Sequence, residues 1–291
     1  MISSLEELIS PLSVPEFKGL LRRREPLLMR GAGVDRYETL IDWPRLLSAI
    51  GSGEYPVRLL RLTRRGDRLP FMFFRDGDKP NMKAIEGAMA VGGSLIAYNI
   101  GAYIPTLRPL CGVISEAMAE NVHTSVTVTT GEGGALKLHF DTADIIALQI
   151  EGRKRWIIQA EPVVDPVFGL PDTGPPPDAP SLMDVILEPG DFLYVPAGYR
   201  HRCENQGERS LHLVFGLDPL TAPRALDLIF RRMVQEPDDR KPIRFDAADA
   251  ASVEAALKQR LSERIMRTSL ADLIAEHRTT SLKPTMRPED D

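Results

Sequence analysis

His139 and Asp141, separated by Phe140, and one histidine far downstream, His201, limit what this chain can fold into. A His-x-Asp pair with a distant histidine is the donor set of the two-histidine, one-carboxylate facial triad. That triad holds non-haem Fe(II) through three protein atoms and leaves other positions open. On a strand, side chains at i and i+2 share a face, so His139 and Asp141 are expected to point the same way, with Phe140 turned aside. His201 must then arrive from a different strand.

The residues leading to His201 suggest how it arrives. Pro189-Gly190-Asp191 reads as a tight turn, Phe192 to Val195 as a short buried strand, and Pro196-Ala197-Gly198 as a second turn ahead of the histidine. A lone His-x-Asp recurs by chance, whereas the same pair followed by this ordered series is far more specific. Histidine with its ordinary pKa of about 6.5 is neutral and able to coordinate at neutral pH. The bland alternative, two satisfied core histidines, leaves the ordered motifs around them unexplained.

Composition sets the outer bounds. A hydrophobic content of 43% and a charged content of 26% over 291 residues suit a globular protein with a sizeable core. A net charge of -5 gives no support for a nucleic-acid partner, which favours basic faces. Two cysteines, Cys111 and Cys203, do not make a disulfide framework and suit a reducing compartment. The first residues lack the basic and apolar regions of a signal peptide, and no apolar stretch is long enough to span a bilayer, so a cytoplasmic protein with no membrane partner is expected.

Along the chain, the first fifty residues read as mixed and helical. Ser13 is expected to cap a helix with Pro15 in its first turn and Glu16 three residues on. A short strand follows at 25–30, and Asp42-Trp43-Pro44 opens another helix. Residues 57–62 and Phe71 to Phe74 read as strands, 82–90 as a helix, Ser94 to Asn99 as a strand and Pro105 to Asn121 as a helix. Val122 to Thr130 is Val- and Thr-rich, as strands are. After a turn at Gly131 to Gly134 the metal-bearing strand is expected, then strands at 145–150, 154–159, 184–187, 192–195 and 210–217. The Pro- and Gly-rich stretch 161–181 is a long irregular loop and a candidate lid. Residues 222–234 and 251–276 have helical spacing, and the polar tail from Thr279 is expected to be disordered.

From about 121 to 217 the chain resembles the JmjC-type cupins, in the branch that includes the ribosomal oxygenases. The residues that carry the resemblance are His139-Phe140-Asp141, Gln149-Ile150-Glu151-Gly152-Arg153-Lys154-Arg155-Trp156, Pro189-Gly190-Asp191, Tyr194-Val195-Pro196 with Gly198, His201, and Ser210 to Gly216. The resemblance implies a mixed, mainly β fold: a double-stranded β-helix with an N-terminal α/β lead-in and C-terminal helices. It implies an oxygenase domain over 1–218 with its core at about 121–218, a helical region over 219–280 that could dimerise, and a tail over 281–291. It further implies a dioxygenase using Fe(II), 2-oxoglutarate and O2 to hydroxylate a side chain of a peptide or protein, with release of succinate and CO2. The triad maps onto His139, Asp141 and His201. The partner of the distal carboxylate of 2-oxoglutarate maps onto Lys154. The polar co-substrate positions map onto Ser125 and Thr127, where relatives often carry Asn and Tyr. The physics of the lysine agrees, since a buried carboxylate is costly without a cationic partner.

Other residues near these motifs have two readings each. Lys154 could be a solvated charge in the run Arg153-Lys154-Arg155, whose flanking arginines are expected at the surface. Cys203 shares strand parity with His201 and is expected to line the pocket. His212 could bond near the metal or pack in the core, and Asp144 could meet substrate or cap a turn. Trp156 is expected to pack under the sheet, while His123 and His277 carry no case. Three other functions compete: a hydroxylase of a free amino acid or small natural-product metabolite, a cupin metalloenzyme that does not use 2-oxoglutarate and needs no Lys154, and a non-catalytic binding module.

Overall fold

Alternation in two long strands sets the architecture. The strand Asn121–Thr130 sends Val122, Val126 and Val128 to one side and His123, Ser125, Thr127 and Thr129 to the other. The strand Arg209–Asp218 sends Leu211, Leu213, Phe215 and Leu217 one way, and Ser210, His212 and Val214 the other. The two pair antiparallel, with Val126 opposite Leu213 and Thr127 opposite His212. A sheet with one largely apolar face must bury that face, and its mixed face is free to line a cavity.

The computed structural model describes residues 2–31, 36–167, 169, 174–244 and 249–280. The chain begins with α1 (Leu5–Ile9), α2 (Val14–Arg23), β1 (Leu27–Met29) and α3 (Trp43–Gly51). It continues through β2 (Leu60–Arg64), β3 (Asp67–Arg68), β4 (Arg75–Asp76), β5 (Lys79–Pro80), α4 (Met82–Ala90), β6 (Ser94–Tyr98) and α5 (Leu107–Met118). The central strands are β7 (Asn121–Thr130), β8 (Asp144–Glu151), β9 (Lys154–Gln159), β10 (Ser181–Leu187), β11 (Phe192–Val195), β12 (His201–Asn205) and β13 (Arg209–Asp218). Three helices follow: α6 (Ala222–Gln235), α7 (Ala250–Arg267) and α8 (Leu270–Thr280).

The larger sheet has the order β1-β11-β8-β13-β7-β6-β2-β3, and the smaller one the order β10-β9-β12. The apolar face of the larger sheet packs against the N-terminal helices through Leu5, Leu8, Phe17, Leu46, Ile85, Leu110 and Ile114. Its other face meets the smaller sheet, where Ile145, Ala147, Leu193 and Val195 pack against Trp156, Ile158 and Leu187. The result is the expected antiparallel two-sheet jelly roll with helices at both ends. Its cavity is apolar at the β11 side and polar along β7 and β13.

Local chemistry explains the element ends. Ser13 and Glu16 form a reciprocal capping box at the start of α2. The Asp42 carboxylate accepts the Arg45 N–H at 2.8 Å to open α3. In the Pro-Gly-Asp turn the Glu188 carbonyl accepts the Asp191 N–H at 2.9 Å, and the Asp191 carboxylate accepts the Gly31 N–H at 2.7 Å, which ties the turn to the end of β1.

Three expectations are corrected. Phe71–Phe73 is a single turn of 3-10 helix entered through Pro70, not a strand. Residues 57–62 begin as a 3-10 turn over Val57–Leu59 before β2 starts. The helical run expected over 251–276 breaks at Thr268, because the Ser269 hydroxyl accepts the Asp272 N–H at 3.1 Å and opens a new helix. The tail 281–291 and part of the expected lid, residues 168 and 170–173, lie outside the described residues.

Candidate metal centre

His139 and Asp141 do not lie on a strand. The segment between β7 and β8 crosses the cavity-facing side of the larger sheet, and His139 makes one isolated antiparallel bridge with His201. In that bridge the His201 N–H donates to the His139 carbonyl at 2.7 Å and the His139 N–H donates to the His201 carbonyl at 3.2 Å. Other contacts hold the segment. The Asn205 N–H donates to the Gly133 carbonyl at 2.8 Å and the Gly198 N–H to the Asp141 carbonyl at 2.9 Å. The Thr63 hydroxyl donates to the Ala135 carbonyl at 2.7 Å. Gly134 is needed because a Cβ there would sit 2.1 Å from the Cys203 carbonyl oxygen. Tertiary contacts thus replace the strand that alternation suggested.

The turn ahead of His201 is tied to the same segment. The Asp144 carboxylate accepts the Ala197 N–H at 2.7 Å, so of its two readings Asp144 caps a turn. Gly198 has φ +88, and a Cβ on it would lie 2.0 Å from the Val163 carbonyl oxygen.

One donor atom from each of His139, Asp141 and His201 lies within 4.8 Å of the others. The ring orientations suit coordination. His139 Nδ1 is 2.8 Å from the Lys137 carbonyl oxygen, and His201 Nδ1 is 3.1 Å from that of Tyr199. A carbonyl only accepts, so each Nδ1 carries the proton and each Nε2 presents a lone pair. Burial pulls the pKa of His201 down to about 4, with His139 pushing the same way and Asp141 opposing. His201 is therefore neutral at pH 7. Trp156 stacks on its ring at 5.5 Å between centroids and 19° between planes, inside the cavity rather than merely under the sheet. Two imidazoles that present Nε2 and a carboxylate on one side, with His139 and Asp141 only half-buried, fit a divalent ion that keeps open positions.

Deeper in the cavity lies Lys154. It is fully buried, and its ammonium donates to Thr129 Oγ1 at 2.7 Å. Desolvation pulls its pKa down to about 8, and no carboxylate among the described residues offsets this. Its neighbours Arg153 and Arg155 point outward, Arg155 into ion pairs with Asp184 and Glu204. Cys203 lies on the cavity side of β12 opposite Trp156, beside Lys154. His212 is buried, edge-on to Trp156 at 5.4 Å, and its Nδ1 has no hydrogen-bond partner. Burial, then Lys154 and His201, hold its pKa well below the usual value, so it too is neutral. A dry ammonium and an orphaned imidazole nitrogen in one cavity fit a small anionic ligand with acceptor oxygens.

Ser125 and Thr127 share the cavity face of β7 with Thr129, but Thr129 is the one that accepts from Lys154. Sequence reading missed Thr129, although the parity that selected Ser125 and Thr127 reaches it two residues later. His123 stands 3.0 Å from the Asp218 carboxylate, and His277 is buried 2.8 Å from the Asp218 carbonyl oxygen. Both belong to the end of β13 rather than to the metal centre.

Comparison with known proteins agrees with this geometry. Residues 106–225 match the family model described as the JmjC domain. Ribosomal oxygenase 1 of Rattus norvegicus is 27% identical over 226 residues, covering 72% of this chain and 36% of that protein. The bifunctional lysine-specific demethylase and histidyl-hydroxylase NO66 of Drosophila mojavensis is 31% identical over 138 residues, 46% of this chain and 16% of its own length. The chain thus spans between 13% and 36% of the length of these curated relatives. Among solved structures, the ribosomal oxygenase YcfD of Escherichia coli, in complex with cobalt and 2-oxoglutarate, aligns with a TM-score of 0.59 at 18% identity, covering 96% of this chain and 76% of that one. At that identity the likeness is one of fold. Residues 106–225 thus resemble a JmjC domain, and the chain is similar in sequence to the ribosomal oxygenases.

Proposed function

We propose that the chain is an Fe(II)- and 2-oxoglutarate-dependent oxygenase that hydroxylates a side chain of a peptide or protein. The observation that carries this reading is the presence of two sites in one cavity. A three-donor centre stands at the mouth, and a buried ammonium without a carboxylate of its own lies deeper. A cupin that bound its substrate directly on the metal would have no use for Lys154. When bound, ferrous iron with 2-oxoglutarate and O2 supplies the oxidation that places one oxygen on a C–H bond and releases succinate and CO2.

The residues divide the work. His139 Nε2, His201 Nε2 and an Asp141 oxygen would hold the ion. Lys154, steadied by Thr129, would hold the distal carboxylate of the keto acid, and the loss of its unpaired charge would favour binding. Ser125, Thr127 and His212 would border the keto acid. Trp156 keeps the His201 ring from turning, and Ile145, Leu193 and Val195 keep water from the apolar side of the cavity. The names of the relatives, ribosomal oxygenase and histidyl-hydroxylase, support a protein substrate over a free amino acid or metabolite.

Residues 1–218 would form the oxygenase domain, and the helical region 219–280 would pair with a second copy. No helix among the described residues is long and apolar enough to cross a membrane. The free thiols of Cys111 and Cys203 support a cytoplasmic location.

Anaerobic addition of Fe(II) and 2-oxoglutarate tests the reading. The weak visible charge-transfer band of the chelate is expected in the native chain and is lost in both His139→Ala and Lys154→Ala. Absence of the band from intact, iron-loaded protein refutes the proposal. Mass spectrometry for peptides that gain one oxygen then separates protein from small-molecule substrates.

A further inference from the structure

Cross-strand rows divide the cavity face of the larger sheet into levels. Thr127, His212 and Gln149 form one row. One step away from Lys154 come Ser125, Val214 and Ala147, and one step further His123, Gly216, Ile145 and Val195. This last row is level with the metal centre. Ile145 and Val195 pack in one cluster with Ile158, the residue paired with His201. Val195 also runs into the turn whose Gly198 N–H bonds the Asp141 carbonyl. Ser125 and Val214 sit in the middle of the sheet and are still only half-buried. Their neighbours Thr124, Val126, Leu213 and Phe215 are buried on the other face, so that exposure comes through the cavity. Beside them the His123 and Asp218 side chains are 22% and 31% accessible, close to the 33% of Asp141. The opening of the cavity therefore reaches from Asp141 across to His123.

Two features fix the His123 imidazole there. The Asp218 carboxylate stands 3.0 Å from Nδ1. A carboxylate only accepts, so Nδ1 carries the proton and Nε2 keeps its lone pair. Gly216 gives the ring its seat, since a Cβ there would lie 2.3 Å from both Nε2 and Cε1. Glycine lets the imidazole lie across β13, which carries Nε2 off its own strand toward the row of Ile145. Nε2 makes no hydrogen bond to any described residue. Arg108, which borders a small pocket together with His123, gives its Nε–H to the Ala102 carbonyl at 3.0 Å. An imidazole that only closed the end of the sheet would need neither a carboxylate to set its tautomer nor a glycine to clear its path.

We infer that His123 determines substrate specificity, its Nε2 accepting a hydrogen bond from an N–H of the substrate side chain presented at the opening; this rests on the oxygenase reading of the adjoining centre. Asp218 behind the ring adds negative potential, so a donor is favoured at this position and a carboxylate meets like charge. A substrate side chain of this kind is a neutral amide, as in Asn or Gln, or a cation, as in Lys or Arg. Both offer the same N–H to the imidazole.

The test uses the full chain with Mn(II) and 2-oxoglutarate and reads fluorescence anisotropy. The probes are short dye-labelled peptides of Ala, Gly and Ser whose central residue is Gln, Lys, norleucine or Glu. The native chain binds the Gln or the Lys peptide about tenfold more tightly than the norleucine peptide, the scale of one hydrogen bond, and binds the Glu peptide most weakly. Preference for Lys over Gln assigns a cationic donor, and the reverse assigns an amide. His123→Phe keeps a flat ring over Gly216 without nitrogens and abolishes the preference, whereas His123→Gln keeps an acceptor and retains part of it. Gly216→Ala displaces the imidazole from the other strand and also abolishes the preference, which keeps the test open if His123→Phe does not fold. Nitrogen NMR of the Zn(II)-loaded chain reads the tautomer: the histidine missing from His123→Phe carries its proton on Nδ1, and its Nε2 signal moves when the favoured peptide is added. The inference is overturned if the native chain does not separate donors from norleucine, if His123→Phe melts lower but discriminates as well as the native chain, or if Nε2 carries the proton. The chelate band keeps the two readings apart. Its presence alongside a missing donor preference sinks the role of His123 alone, whereas its absence sinks the oxygenase reading whatever the peptides do.

Discussion

Lys154 works against the stability of the fold it sits in. Its pKa of about 8 in the folded chain, against about 10.5 in water, means that burial penalises the ammonium and that the Thr129 hydroxyl offsets only part of the cost. The linkage follows. Between pH 8 and 10.5 the unfolded chain holds more protons at this position, so its contribution to stability rises with pH across that window and is unfavourable throughout below it. Lys154→Met keeps most of the volume and removes the charge, at the expense of one partner for Thr129. At pH 7 and without ligand, the variant is expected to be more stable by on the order of 2–3 kcal/mol. The gain shrinks to nothing by about pH 10.5, and 2-oxoglutarate no longer binds. Chemical denaturation at several pH values reads the first effect, and calorimetry with 2-oxoglutarate reads the second. A variant less stable than the parent at pH 7 would mean that the lysine is a structural strut and not a ligand-binding group.

Among the elements, the turn between β11 and β12 bears the most on the centre. Gly198 sits at positive φ against the Val163 carbonyl and donates its own N–H to Asp141, so one residue couples turn geometry to a candidate ligand. Gly198→Ala is expected to cost about 3 kcal/mol from backbone strain and crowding together. It also weakens Co(II) binding at least tenfold, by moving Asp141 relative to His201. Melting curves and a Co(II) titration check the pair of effects; full metal affinity in a destabilised variant would uncouple them. The same turn shows what could be read in advance. Pro196-Ala197-Gly198 before a histidine is local chemistry, and so is the capping box at Ser13; both are legible because neighbours in sequence make them. The extended path of 139–141 was not legible, because a bridge to His201, a threonine on β2 and the Cys203 carbonyl facing Gly134 create it. Thr129 was within reach of the parity argument, but only a paired sheet shows which of Ser125, Thr127 and Thr129 meets Lys154. The break at Thr268 was hidden for a related reason: the apolar spacing of 251–276 runs through it, and one serine hydroxyl decides otherwise.

At the scale of the whole molecule, the C-terminal helices leave apolar surface that no other described residue covers. One side of α6 packs Leu228 and Ile229 against Leu273 of α8. Another side carries Leu226, Phe230 and Val234 at i, i+4 and i+8, all exposed, with Phe230 63% accessible. Helix α7 has no buried residue and exposes Leu261, Ile265 and Met266. A long helix that buries nothing gains little from the fold it hangs on, because helical stability in proteins comes mainly from packing an apolar face. A second copy of the chain would supply that packing through a symmetric contact, the commonest arrangement among oligomers. Phe230 is the largest of these side chains, and a charge in its place would be desolvated twice across a two-fold interface. The native chain is therefore expected to scatter light as a dimer of the 32.3 kDa chain and Phe230→Asp as a monomer. The variant should keep its melting behaviour at low concentration and its chelate band, since Phe230 touches neither the core nor the metal centre. A native mass of one chain at micromolar concentration would leave these stripes for some other partner and remove the helical region's proposed role in pairing.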